Sequence, residues 1–219
     1  MDRKKVKNYG FVAVFCKLAH PVAGVLFYAA AFFIVLCFIL SIILFFVNVD
    51  VDKALLPPFI SKIANEAGKA TKYEISFGNG IKVVTDAANV TLDDIKAALY
   101  AEIFVIACTL LTLAPIFKFL SALMKNIGSG EFEKIIDEKN PRYVMFIGLC
   151  VFFGAVLIRF MTRFYNYYLA ARFIKGAPQQ IKLSLGIDIL DGMTGLAILF
   201  IGAFLAYAFQ HMRERQEPS

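Results

Sequence analysis

A chain of 219 residues with 59% hydrophobic, 15% aromatic and only 18% charged positions, and a mean hydropathy of +0.68, is too apolar for an ordinary soluble domain. The formal charge of +6 would suit nucleic acid, but the lysines and arginines gather beside apolar runs, where membrane topology accounts for them. No polar segment carries a basic stripe with interleaved aromatics, so no nucleic-acid partner is expected, and one integral membrane domain over 1–219 is.

Residues 1–8 hold Arg3, Lys4, Lys5 and Lys7 against Asp2, a cluster that stays cytoplasmic and orients the first span with its N-terminus inside. Residues 9–19 are apolar with one Lys17, too short to cross, and His20-Pro21 interrupts them. The expectation for 1–21 is therefore a basic N-terminus followed by an interfacial helix. Residues 24–47 carry neither charge nor proline over more than the roughly 20 residues a spanning helix needs. The first span is set at 22–47.

The polar stretch 48–98 then lies outside the membrane. Leu56, Phe59, Ile60, Ile63 and Ala67 share a helical face before Gly68, which predicts a short amphipathic helix. The sequence YEISF-GNG-IKVVT predicts a β-hairpin. A three-residue Gly78-Asn79-Gly80 loop pairs Phe77 with Ile81, Ile75 with Val83 and Tyr73 with Thr85, giving one coherent apolar face. An isolated hairpin is marginal in water and needs a covering surface, from the helix before it or from another protein. Thr91 and Asp94 form a capping box with a shortened acid at the start of a helix that leads into the second span, 99–120, with Lys118 snorkelling at its inner end.

Residues 121–142 form a cytoplasmic connector marked by Lys125, Lys134, Lys139 and Arg142, with Glu131, Glu133, Asp137 and Glu138 as a solvated face. The third span is 143–163. An aromatic belt (Phe160, Phe164, Tyr165, Tyr167, Tyr168) closes its outer end, and an outer loop occupies 164–186. The fourth span is 187–209 and the tail 210–219 is cytoplasmic. The fold class is thus an all-α membrane protein of four transmembrane helices, with a small extracytoplasmic helix plus β-hairpin inserted between helices one and two.

The stretch Ile127-Gly128-Ser129-Gly130-Glu131-Phe132, with Asn140-Pro141-Arg142 and Ile147-Gly148, resembles the join between spans two and three of the YoaS-like family of bacterial four-helix membrane proteins. The last span and tail, Gly195 to Leu199 and Ala208 to Glu217, are similar to that family's C-terminal end. This resemblance covers roughly the second half of the chain. It implies a bacterial inner-membrane protein, often encoded beside a small helix-turn-helix regulator, and it carries no catalytic residues over.

The candidate site is a set of ionisable groups near the outer ends of the spans: Glu102, Arg159, Arg163, Asp188 and Asp191. Arg159 and Arg163 share a face of span three with Gly148, Phe152 and Ala155. Asp188 and Asp191 share a stripe of span four with Gly195, Gly202 and Ala206. Small residues mark the packed face of a membrane helix, so both charge pairs are expected to point at neighbouring helices and to pair across spans three and four. Two readings stay open, a structural latch and a solute or ion site.

The remaining inventory points away from catalysis. Cys16, Cys37, Cys108 and Cys150 lie in apolar stretches without paired spacing and read as small buried hydrophobes. His20 and His211 have no second ligand at metal spacing, and no phosphate loop or nucleophile elbow occurs. No enzyme activity, metal or cofactor is expected. The favoured reading is a sensor or regulatory accessory whose partners are the lipid bilayer and a protein bound at the extracytoplasmic hairpin or the cytoplasmic connector, with a homo-oligomer also open. The alternative is a small-solute transporter or channel using the intramembrane charges.

Overall fold

The computed structural model of the chain describes residues 10–46, 60–64, 70–76, 82–86, 90–173 and 189–214. In chain order these are α1 (Gly10–Phe46), β1 (Ile60–Ala64), β2 (Ala70–Ser76), β3 (Lys82–Asp86), α2 (Leu92–Gly128), α3 (Phe132–Ile135), α4 (Lys139–Phe173) and α5 (Ile189–Glu214). Four helices are long and apolar enough to cross a membrane, which fits an integral membrane protein. At 1.5 Å per residue the 37 residues of α1 and of α2 each reach about 55 Å, well beyond a bilayer core of about 30 Å.

The helices are longer than the sequence pattern predicts. No break occurs at His20-Pro21, and α1 runs straight through the segment expected to be a separate interfacial helix. Pro21 removes one backbone donor without ending the helix. Likewise α2 ends at Gly128 and α4 begins at Lys139, so the connector expected over 121–142 shrinks to the residues between them. At its other end α4 continues to Phe173, turning the start of the expected 164–186 loop into helix. Residues 164–173 contain no glycine or proline to stop it.

Contacts divide the chain into two compact units. The first comprises Met1–Ile34, Thr109–Leu157 and Asp188–Ser219. Within it each long helix touches the next in sequence, mostly through small residues. On α1, His20 Nδ1 lies 2.8 Å from Ser121 Oγ and 3.1 Å from the Ser121 carbonyl of α2, while the Ser121 hydroxyl lies 3.3 Å from the His20 carbonyl. Gly128 presses on the Lys17 backbone so closely that a Cβ would sit 2.9 Å from the Lys17 nitrogen. Between α2 and α4, Phe119 stacks on Phe146 at 5.2 Å between centroids, and Gly154 accepts the Thr112 methyl.

The closest approach is between α4 and α5. A Cβ on Gly148 would lie 2.6 Å from the Leu199 nitrogen and 2.8 Å from the Gly195 carbonyl oxygen. Gly195 in turn abuts the Phe152 backbone, and Gly202 that of Met145. These pairs run antiparallel and bring Gly148 and Phe152 against Gly195, joining much of the small-residue face expected of spans three and four. In α1 the buried residues Cys16, Ala23, Ala30 and Cys37 recur every seventh position, the period of left-handed knobs-into-holes packing.

The connector has a polar core. Gly130 adopts φ +67°, a turn conformation that favours glycine. Asn140, only 3% exposed, accepts from the Asn126 side-chain amide at 2.7 Å and donates to the Lys134 and Ile135 carbonyls at 2.7 and 2.9 Å. One amide thus ties the end of α2, the C-terminal turn of α3 and the start of α4. Asp137 accepts the Lys139 N–H at 2.9 Å and so caps α4, in addition to belonging to the acidic segment.

The second unit comprises Val35–Cys108 and Ile158–Ile187. It contains a three-stranded antiparallel sheet in the order β1-β2-β3. The hairpin register is the expected one, Tyr73 opposite Thr85 and Ile75 opposite Val83, while Phe77, Ile81 and the loop lie outside the described residues. The amphipathic helix predicted around Ile60 and Ile63 is replaced by β1, which pairs Ile60 with Ile75 and Lys62 with Tyr73. A single short helix is marginal in water, and the free edge of β2 offers β1 a ladder of backbone hydrogen bonds. Tyr73 is 1% exposed, and Val90, Ile95 and Ala98 are buried in the same unit. Tyr100 of α2 donates to the Ser41 carbonyl of α1 at 3.1 Å.

Replacing Asn140 by Ala leaves the Asn126 amide and two carbonyls without this partner. The expected loss is about 2 kcal/mol of stability in denaturant unfolding of the detergent-solubilised protein. Asn126→Ala, which removes one of the three bonds, costs less.

Candidate functional site

The expected charged cluster divides between residues that can be placed and residues that cannot. Glu102 on α2 and Arg159 and Arg163 on α4 are half-buried members of the second unit. Asp188 lies outside the described residues. Asp191 belongs to the first turn of α5, and its side chain is likewise outside the description. The sequence places Tyr165 in the aromatic belt, and the fold brings it within electrostatic range of the Glu102 carboxylate. Spacing alone gives no signal for that neighbour, because Glu102 and Tyr165 come from different helices.

Just before the second span, a compact polar arrangement closes around Asp94. Thr91 Oγ1 accepts the Asp94 N–H at 3.2 Å, and Asp94 Oδ2 accepts the Thr91 N–H at 2.9 Å and the Thr91 hydroxyl at 2.7 Å. This is the reciprocal capping box the sequence predicts. The other carboxylate oxygen accepts from Arg172 Nε at 2.6 Å, so the first turn of α2 is clamped to the last turns of α4. Sequence reasoning misses Arg172 because it assigns that residue to a loop.

Partial burial pushes the Asp94 carboxyl up, but the Thr91 hydrogen bonds and the Arg172 guanidinium outweigh it and hold the carboxyl below its ordinary value. Since the folded state favours the ionised form, the clamp contributes fully above the unfolded pKa of about 4 and loses its contribution as pH falls through the depressed folded value.

His20 and Ser121 meet in the first unit, but not as base and nucleophile. A carbonyl can only accept, so Nδ1 carries the proton that it points at the Ser121 oxygen atoms. The hydroxyl proton is then directed to the His20 carbonyl, and the serine is left unactivated. His211 stacks on Tyr207 and lies 3.8 Å from Glu214, both exposed. Cys16, Cys37 and Cys108 are buried and Cys150 is half-buried, none of the four in a disulfide. Among the described residues no group of three or more His, Cys, Asp or Glu side chains is placed to hold a metal.

No known family, curated protein or solved structure gives a match to the chain.

Asp94→Ala is expected to cost about 1 kcal/mol at pH 7, chiefly through the lost cap, since water screens the exposed Arg172 side of the pair. The gap between wild type and variant in denaturant unfolding should narrow as pH is lowered below about 4.

Proposed function

We propose that the chain is an integral protein of the bacterial cytoplasmic membrane, with both termini in the cytosol, that acts as a sensor or regulatory accessory through protein contacts rather than as an enzyme. Membership of the YoaS-like family, suggested by the residues around Gly130 and Asn140, belongs to the same proposal. The observation that carries it is the two-sidedness of the sheet. Cross-strand partners share a face, so Ile63, Lys72, Glu74, Val84 and Asp86 lie opposite the face that carries buried Tyr73. Ile63 and Val84 are 42% and 53% exposed there, flanking the charges of β2. A mixed apolar and charged face on a three-stranded sheet suits a protein partner in the extracytoplasmic space. The connector, ordered by Asn140 and exposing Phe132, supports a second contact surface in the cytosol.

The second reading is a small-solute transporter or channel, favoured by half-buried Glu102, Arg159 and Arg163 next to long apolar stretches of α2 and α4. Solute flux in liposomes that Arg159→Ala abolishes would support it over the first.

A photo-cross-linking residue at position 63 or 84 is expected to trap a discrete protein partner in intact cells. A pattern identical to that from lipid-facing Phe200, with no discrete adduct, would contradict the contact reading.

A further inference from the structure

Among the described residues, the first unit contains cations without an ion-pair partner. Lys17 on α1 and Lys118 and Lys125 on α2 are all exposed, and among the described residues none of them takes part in an ion pair or side-chain hydrogen bond. Connector cations differ: Lys134 pairs with Glu131 at 2.9 Å and Arg142 with Glu138 at 3.6 Å. There is also little on the two helices to neutralise them, for α1 has no Asp or Glu at all and α2 has none after Glu102.

Two observations tie the backbones that carry these lysines to the contact between α1 and α2. The Lys17 backbone is itself pressed against Gly128. Lys118 and Lys125 lie three residues before and four residues after Ser121, which bonds to His20. Both therefore share a side of α2 with a residue of the contact.

Their depth suits a headgroup. Lys17 is five residues before the apolar span that starts at 22, and Lys125 five residues after the one that ends at 120. At 1.5 Å per residue each stands about 7.5 Å beyond the hydrocarbon, within the headgroup layer. Lys118, about 3 Å inside the hydrocarbon edge, brings its ammonium to the inner margin of that layer by extending its stem. Phe15 and Leu18, beside Lys17, are 56% and 69% exposed and offer an apolar surface for acyl chains.

We propose that Lys17, Lys118 and Lys125 form a binding site for the phosphate headgroup of an anionic phospholipid at this end of the α1–α2 pair. Ammonium groups act as adaptable point charges toward phosphate, and the close contact of the two helices fixes where the backbones that carry them stand. The site is independent of the contact function proposed above and does not require the second unit.

The test is binding of fluorescent phosphatidylglycerol to the detergent-purified full chain, with phosphatidylcholine as the comparison lipid. Wild type should prefer phosphatidylglycerol. The triple variant Lys17→Gln, Lys118→Gln, Lys125→Gln should lose at least about tenfold in apparent affinity, while Lys125→Gln alone loses about threefold. The single variant serves as the readout if the triple variant does not fold. The control Lys134→Gln, Arg142→Gln should leave the preference intact. Retention of the preference in the triple and single variants would overturn the proposal, and so would an equal loss in the control, which would indicate diffuse surface charge. Displacement of the lipid by inorganic phosphate would overturn the lipid assignment in favour of a soluble phosphate ligand.

Discussion

Lipid removes the force that usually packs helices together. A leucine gains nothing by leaving hydrocarbon for another helix, so association depends on how closely backbones approach and on the polar groups they bring with them. In this protein the approach is made by glycines. Gly148 of α4 meets the backbone of α5 at Gly195 and Leu199, Gly195 meets Phe152, and Gly128 of α2 meets Lys17 of α1. Each is a place where a single methyl group would collide with main chain, and such contacts set the register of the helices.

Polar groups reinforce this packing where the helices reach beyond the hydrocarbon. The His20–Ser121 pair lies toward one end of α1 and α2, and Asn140 sits in the first turn of α4 and bonds back to the end of α2 and to α3. In the other unit Asp94 both caps α2 and holds Arg172. All three exploit side chains with several hydrogen-bonding sites, so a few residues satisfy backbone groups that would otherwise be left to water or lipid. Gly130 and Asn140 take structural roles in this part of the chain, one turning it and the other clamping it.

Features that depend on local chemistry were readable from the residues. Alternation set the register of β2 and β3, the Thr91-to-Asp94 spacing marked the start of α2, and the small residues Gly148, Gly195 and Gly202 marked the packed faces of α4 and α5. What required distant partners was not. Ile60 and Ile63, three apart, fit one face of a helix, and only the edge of β2 turns that segment into a strand. Arg172 finds Asp94 because α4 continues past its apolar run, and Asn140 has no sequence pattern that announces three partners. The charged residues of the candidate site were legible as unusual, since charge is rare within apolar spans, but the electrostatic influence of Glu102 on Tyr165 arises from helix pairing alone.

The most direct measurement of the packing account compares two substitutions on α5 by the fraction of folded protein recovered and its thermal stability in detergent. Gly195→Leu puts a side chain against the Phe152 backbone, whereas Met193→Leu alters a side chain 52% exposed two residues away. Close backbone approach predicts severe loss for the first and near wild-type behaviour for the second. Equal tolerance of both would contradict it.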